Sequence, residues 1–278
     1  GQASFGTSVP TMTLPNTSPA PLRGHRRPGA MISRLVHVAS LVLTGRFSLG
    51  WCPICELRTV YLKEGEYLRD HYRCLRCRSI PRWRAVLRVL NMLYPDWRQL
   101  RIHEASPGGA ASDKLLREGK YYTPTFYSTG IPAGRVVDGR RYEDLEALTF
   151  DDECFDLVIT QDVMEHVLRP EKAFSEISRT LRPGGAHLFT VPYYSWRNTV
   201  VRAVESPEGI THLEQPEYHD GPGGVGNSLV VREWGCDLAD AIYSASGMTT
   251  TIYQVHDRRM GLDGQFLDVL VSVKRGNL

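Results

Sequence analysis

The sequence predicts a Rossmann-like three-layer α/β domain with a seven-stranded, mostly parallel sheet, preceded by a small metal-binding module. Three observations carry that expectation. Residues 155–160 form a short apolar run of strand character, and residues 170–181 set Ala173, Phe174, Ile177 and Leu181 on one helix face. Pro183-Gly184-Gly185 then breaks the helix and returns the chain into 187–191, a second strand-like run, giving a strand, crossover helix, strand unit. Far upstream, two C-x-x-C pairs stand eighteen residues apart.

At 278 residues and 42% hydrophobic, the chain is long enough for one substantial core plus an accessory module. A formal net charge of +2 with 23% charged residues describes an ordinary soluble protein and singles out no partner. Residues 1–30 are rich in Pro, Gly, Ser and Thr without apolar period, and read as a disordered arm or an expression remnant. Residues 31–43 are apolar but interrupted by Arg34 and His37, and thirteen residues are too few to span a bilayer. They suit a helix that docks on the main domain, with peripheral membrane contact as the sharper alternative.

Cys52-Pro53-Ile54-Cys55 and Cys74-Leu75-Arg76-Cys77 each present two thiolates from a tight turn. Together they make the four-sulfur shell that Zn²⁺ accepts, closed and hence structural, within a module assigned to 31–80. Reduced core cysteines or a redox pair are the alternatives. Metal-type spacing points to a reducing cytoplasm, and the lone Cys154 and Cys236 read as core residues. The module is basic, with Arg69, Arg73, Arg76, Arg78, Arg82, Arg84 and Arg88 against Asp70. Two readings stand: contact with phosphate or nucleic acid, or arginines that offset the thiolates and then line a solvated helix face.

The main domain is assigned to 81–278. Its first helix, 81–94, carries Trp83, Val86, Leu87, Leu90 and Tyr94 at helical spacing behind Pro81. Residues 100–105 read as the first sheet strand, followed by Ser106-Pro107-Gly108-Gly109 and a helix over 110–118. The crevice beyond the carboxyl end of such a strand takes a nucleotide-like ligand, and glycine lets the backbone approach it. The second strand, 121–127, is followed by Ser128-Thr129. After the fifth strand comes an insert, 193–231, read as a long loop of the lid or binding kind. It holds His212, Glu214, Glu217, Tyr218, His219 and Asp220 beside four glycines. A helix over 232–246 with Trp234, Leu238, Ala241, Ile242 and Ala245 on one face is stopped by Gly247; strands 248–255 and 266–273 close the sheet.

The string FDLVITQDVMEHVLRPEKAFSEISRTLRPGGAHLFTVPY over 155–193 closely resembles the second half of class I S-adenosylmethionine (SAM) dependent methyltransferases. The order of cysteine module, arginine-rich helix and this segment resembles a bacterial subgroup of that family. The resemblance implies a SAM site in which Glu104, Ser106, Gly108 and Gly109 form the altered glycine loop. Ser128 takes the place of the family's ribose-binding acid, and Asp144 and Leu145 meet the adenine. The Gln161 carbonyl faces the methionine portion, beside Asp162. Because an alcohol acceptor must lose a proton during in-line methyl transfer, His219 is the expected general base with His212 behind it; His166 is a third candidate with a plausible packing role.

The resulting expectation is SAM-dependent methyl transfer to a hydroxyl of a small molecule or glycan, with structural zinc and no metal in the chemistry. Methylation of structured RNA, using the basic module, is the alternative. A SAM-binding protein without catalysis is a third reading, motivated by the altered loop and the missing ribose acid.

Overall fold

The computed structural model describes residues 36, 38–221 and 224–276. The arm 1–30 and most of the start of the apolar segment 31–43 lie outside these; the segment's far end is helical, with Leu41 buried and Leu43 87% exposed. Among the described residues no helix is long and apolar enough to cross a membrane. The chain divides into two units at Ser40, and the second, Leu41–Leu278, contains the elements that follow.

β1 (Phe47–Cys52), β2 (Leu57–Lys63) and β3 (Tyr72–Cys74) form a small antiparallel sheet, with the one-turn helix α1 (Leu68–His71) between the last two. α2 (Pro81–Leu93) leads into β4 (Arg101–Ala105), α3 (Gly109–Glu118), β5 (Tyr121–Phe126), β6 (Val136–Val137) and β7 (Arg140–Tyr142). Next come β8 (Phe155–Gln161), α4 (Pro170–Thr180) and β9 (Leu181–Thr190). The strand β9 starts earlier than the Pro-Gly-Gly break suggests, because Leu181 already pairs with Phe155; an irregularity then absorbs Gly184 at φ 77° before Ala186 pairs with Leu157.

The insert is not the long loop expected. β10 (Tyr193–Tyr194), β11 (Val200–Val201), β12 (Ala203–Ser206), β13 (Gly209–His212), β14 (Tyr218–Gly221) and β15 (Gly224–Leu229) run through it, the last four as two hairpins. β-branched residues in the arms and glycines at the reversals favour these ribbons. The helix expected over 232–246 also divides. β16 (Arg232–Gly235) pairs with both β10 and β11, so Trp234 is a strand residue, and α5 (Leu238–Ser246) begins after it. Gly235 permits this because an added Cβ would lie 2.2 Å from the Asn198 carbonyl carbon. β17 (Thr249–Tyr253) and β18 (Val269–Val273) complete the chain.

The main sheet has eight strands in the order β17-β18-β9-β8-β4-β5-β7-β6. The five central strands from β9 to β7 are mutually parallel, and the additional strand is the two-residue edge β6. Alternation along β8 feeds two cores: Leu157 and Ile159 pack with α2, α3 and the small sheet, whereas Val158 packs with α4 and α5. Cys52, Tyr61 and Tyr72 share the first of these cores with Leu188 and Val271, so apolar packing is continuous from the cysteine module to the main sheet.

Candidate functional site

Four cysteines converge where β1 turns into β2 and where β3 ends. The Sγ atoms of Cys52 and Cys77 lie 3.7 Å apart, and those of Cys55 and Cys74 lie 3.9 Å apart. An ion with Zn–S bonds of about 2.3 Å at tetrahedral angles sets its sulfurs about 3.8 Å apart, so these residues fit the group. No disulfide joins them. Cys154 is half-buried, but Cys236 is exposed and not the core residue expected; its Sγ faces the Asn198 Oδ1 at 3.3 Å.

Most of the arginines beside this cluster are committed inside the protein, while Arg76 and Arg88 are exposed. Arg84 is fully buried, stacks 4.6 Å over Tyr61 and donates to the Tyr72, Ser79 and Gly261 carbonyls. Arg73 and Arg78 share Glu64. Arg69 donates from Nε to the Phe266 carbonyl at 3.0 Å and from Nη2 to Asp162 Oδ1 at 2.6 Å, while Arg82 takes the other Asp162 oxygen and Asp70.

Asp162 therefore does not stand free beside Gln161 at the end of β8. Thr190 Oγ1 adds a third donor at 3.0 Å, and the backbone at Asp162 is left-handed, with φ 52°. Burial would raise its pKa, but the Arg69 and Arg82 charges win and hold it well below the usual carboxylate range. A residue of the cysteine module is thus bonded into the edge of the sheet where the cofactor half was expected.

The glycine loop holds together through Glu104. Fully buried at the end of β4, it accepts from Ser112 Oγ at 2.8 Å, Gln161 Nε2 at 2.7 Å and Tyr122 Oη at 2.5 Å. Ser112 in turn accepts from the Gly108 amide at 2.9 Å, so the acid fixes the loop through a helix side chain. Burial raises the pKa of Glu104 against these three donors. Ser106 adopts φ 55°, the left-handed geometry a glycine would take without cost. Gly109 is required twice over: its φ is 75°, and a Cβ there would lie 2.2 Å from the Trp83 ring, whereas one at Gly108 would meet nothing within 4 Å.

Ser128 and Tyr127 follow β5 at the same edge, and Tyr127 is 60% exposed. Asp144 Oδ1 caps the Glu146 amide at 2.9 Å, and Leu145 is buried.

Beyond Asp162 the chain turns through Glu165 and His166. His166 Nδ1 meets the Leu229 carbonyl at 2.8 Å, which makes that nitrogen the proton carrier and leaves Nε2 as a lone-pair site. Burial lowers its pKa. The His219 ring stands edge-on to it at 5.5 Å, with Nε2 3.2 Å from Glu217 Oε1. Glu165 completes the group: it is 1% exposed, neither carboxylate oxygen has a hydrogen-bond partner, and burial, aided by the Asp162 charge, pushes it up to about 8. One ligand-capable atom each from Glu165, His166 and His219 all lie within 4.8 Å of one another. The turn is positioned by the chain entering β16, because the Val231 and Arg232 amides both donate to the Glu165 carbonyl. The hairpins are anchored by Arg202, which pairs with Glu217 at 3.4 Å and with Glu233. His212 sits exposed on the separate β12–β13 hairpin, opposite Ala203.

Sequence reasoning missed Glu165, Ser112, Tyr122 and the roles of Arg69 and Arg82. The acid in Asp162-Val163-Met164-Glu165-His166 was a visible signal, since acid and imidazole are adjacent in it. The other four depend on contacts across 18 to 93 positions or on a helix face.

Residues 130–189 match the family described as Methyltransferase domain. A search of curated proteins finds no match for the sequence. Among solved structures, a SAM-dependent methyltransferase from Mesorhizobium loti is similar at 18% identity over 69% of this chain and 98% of that one, with a TM-score of 0.45. A 1,6-didemethyltoxoflavin-N1-methyltransferase from Burkholderia thailandensis matches at 17% identity over 70% and 78%, TM-score 0.46. An amino pentose methyltransferase from Micromonospora echinaspora matches at 14% identity over 72% and 94%, TM-score 0.45. The matched segment runs from before β6 to the end of β9. The match to a methyltransferase domain thus lies on the Rossmann-like sheet, over the strands β6 to β9.

Proposed function

We propose that this enzyme transfers the SAM methyl group to a hydroxyl of a small molecule or glycan, with the reacting oxygen beside Glu165, His166 and His219. That cluster is the observation that carries the reading, because it brings two of the three candidate histidines together with a buried carboxylate next to Gln161 and Asp162. Ser106, Gly108 and Gly109 would cradle the methionine portion, Ser128 the ribose, and Asp144 with Leu145 the adenine. The Gln161 carbonyl would face the ammonium.

Methyl transfer breaks the sulfonium S–CH3 bond with both electrons left on sulfur, while the acceptor oxygen forms the new bond and its proton departs. His219 is the group we place nearest that oxygen, with His212 less favoured on its separate hairpin. Positioning supplies the remainder of the rate. Cys52, Cys55, Cys74 and Cys77 are proposed to hold a structural Zn²⁺, supported by sulfur spacings of 3.7 and 3.9 Å. RNA as acceptor is disfavoured by the internal pairing of Arg69, Arg82 and Arg84.

Calorimetry with SAM and its demethylated product tests cofactor binding, and absence of heat with both refutes the activity. His219→Ala should lower kcat on the true acceptor by about 10²- to 10⁴-fold with cofactor affinity unchanged. Full turnover in that variant across pH 6 to 9 would remove His219 from the chemistry.

A further inference from the structure

We infer that Glu165, His166 and His219 form a binding site for a divalent first-row transition-metal cation, separate from the four-cysteine cluster. Three independent features converge. The carboxyl group of Glu165 is 1% exposed with both oxygens unpartnered, an arrangement unfavourable for a polar group unless something fills it. His166 is held by its Nδ1 bond to the Leu229 carbonyl, the arrangement that orients an imidazole for ligation through the opposite nitrogen. His219 enters from β14, and its ring is held between Glu217 and the His166 ring.

The spacing suits one ion. Ligands bonded at about 2.0–2.2 Å stand at most about 4.4 Å apart, and the three donor atoms here all lie within 4.8 Å, so small side-chain rotations close the shell. His166 Nε2 is already 3.9 Å from Glu165 Oε1. Neither neighbouring guanidinium is bonded to this carboxyl group: Arg69 and Arg82 are both bonded to Asp162. Two imidazoles and a carboxylate favour first-row divalent metals over the soft-ligand preference of the thiolate cluster.

Three protein ligands leave open positions, and an acceptor oxygen placed there would become more acidic. This last step rests on the methyl-transfer reading; the ion site itself does not. A bound ion and a free imidazole base are alternative routes for removing the same proton, and metal titration separates them.

The test uses full-length protein with its cysteines already loaded with zinc. Mn²⁺, a poor thiolate ligand partner, is titrated while the electron paramagnetic resonance signal of the free ion is followed. One equivalent should bind to the wild type, and Glu165→Gln and His219→Ala should each weaken it at least 10-fold with zinc content and circular dichroism unchanged. His219 lies on a hairpin with a 39% exposed side chain, so its variant keeps the test valid if Glu165→Gln misfolds. No Mn²⁺ binding at millimolar concentration, or binding that both variants retain, overturns the inference. Mn²⁺ binding by protein that gives no heat with SAM or its product would keep the ion site and refute methyl transfer.

Discussion

Replacing Asp162 with alanine should be among the most damaging single changes in the chain. The Asp162 side chain is 9% exposed and that of Arg69 is 5% exposed, so truncation leaves a guanidinium in the interior without its counter-charge. Breaking a buried pair by removing one partner costs about 3–5 kcal/mol, much of it the desolvation of the survivor. Arg82, with a side chain 27% exposed, regains water and adds little. For a domain of this size about 2–4 °C of Tm accompanies each kcal/mol, so the melting point should fall by about 6–20 °C. Asp162→Asn combined with Arg69→Met should recover much of that loss, because asparagine tolerates the left-handed backbone at 162 and no fully buried charge is then left without its partner. Thermal and urea unfolding of the wild type, both single variants and the double variant measure the cycle. A single Asp162→Ala loss below about 1 kcal/mol would refute the buried clamp. The pair also sets a pH window: the native pKa of Asp162 is depressed, so its contribution is complete above the ordinary carboxylate value and is lost as pH falls through the folded one.

Two glycines of one loop should behave oppositely. Gly108→Val should remain folded, since a Cβ there meets nothing within 4 Å, yet lose the heat of SAM binding if the proposed cofactor site is right, whereas Gly109→Ala should destabilise the fold by collision with Trp83; equal stability of the two would count against this geometry. Stripping metal with a strong chelator should lower Tm and zinc should restore it, because the cysteines share a core with the main sheet; a metal-free protein with unchanged Tm would remove zinc from the fold. His103 and His187 are fully buried, and burial pushes both down to about 3, helped by the Arg141 charge on His103 and by His103 on His187. Their folded pKa lies below the unfolded value, so stability is full above about 6.5 and declines with falling pH, by about 2–3 kcal/mol for the pair between pH 7 and 5.5. Flat stability across that interval in urea titrations would mean the histidines are not neutral in the core.

The sequence by itself determined the elements whose patterns are local. Apolar alternation and a 3.6-residue period located β8, α4, β4 and α3 to within a residue or so, and the C-x-x-C spacing identified four thiolates that do meet. The order of those elements sufficed for a mostly parallel sheet, because a crossover helix between strands allows little else. The sheet has eight strands, not seven, since the two-residue β6 has no readable period. Residues 193–231 looked like loop for the same reason: ribbons of two to six residues, rich in glycine and charge, carry too short a pattern.

Tertiary structure decided which charged groups share a space. Nothing local tells that Arg69 reaches Asp162 across 93 positions, or that His219 meets His166 and Glu165 while His212 does not. Those choices follow from β16 pairing with two strands of the insert and from the cysteine module packing on the sheet edge. Burial then made the difference between a surface acid and an unpartnered carboxylate at Glu165, because the energy of a charge depends on its surroundings and not on its place in the chain.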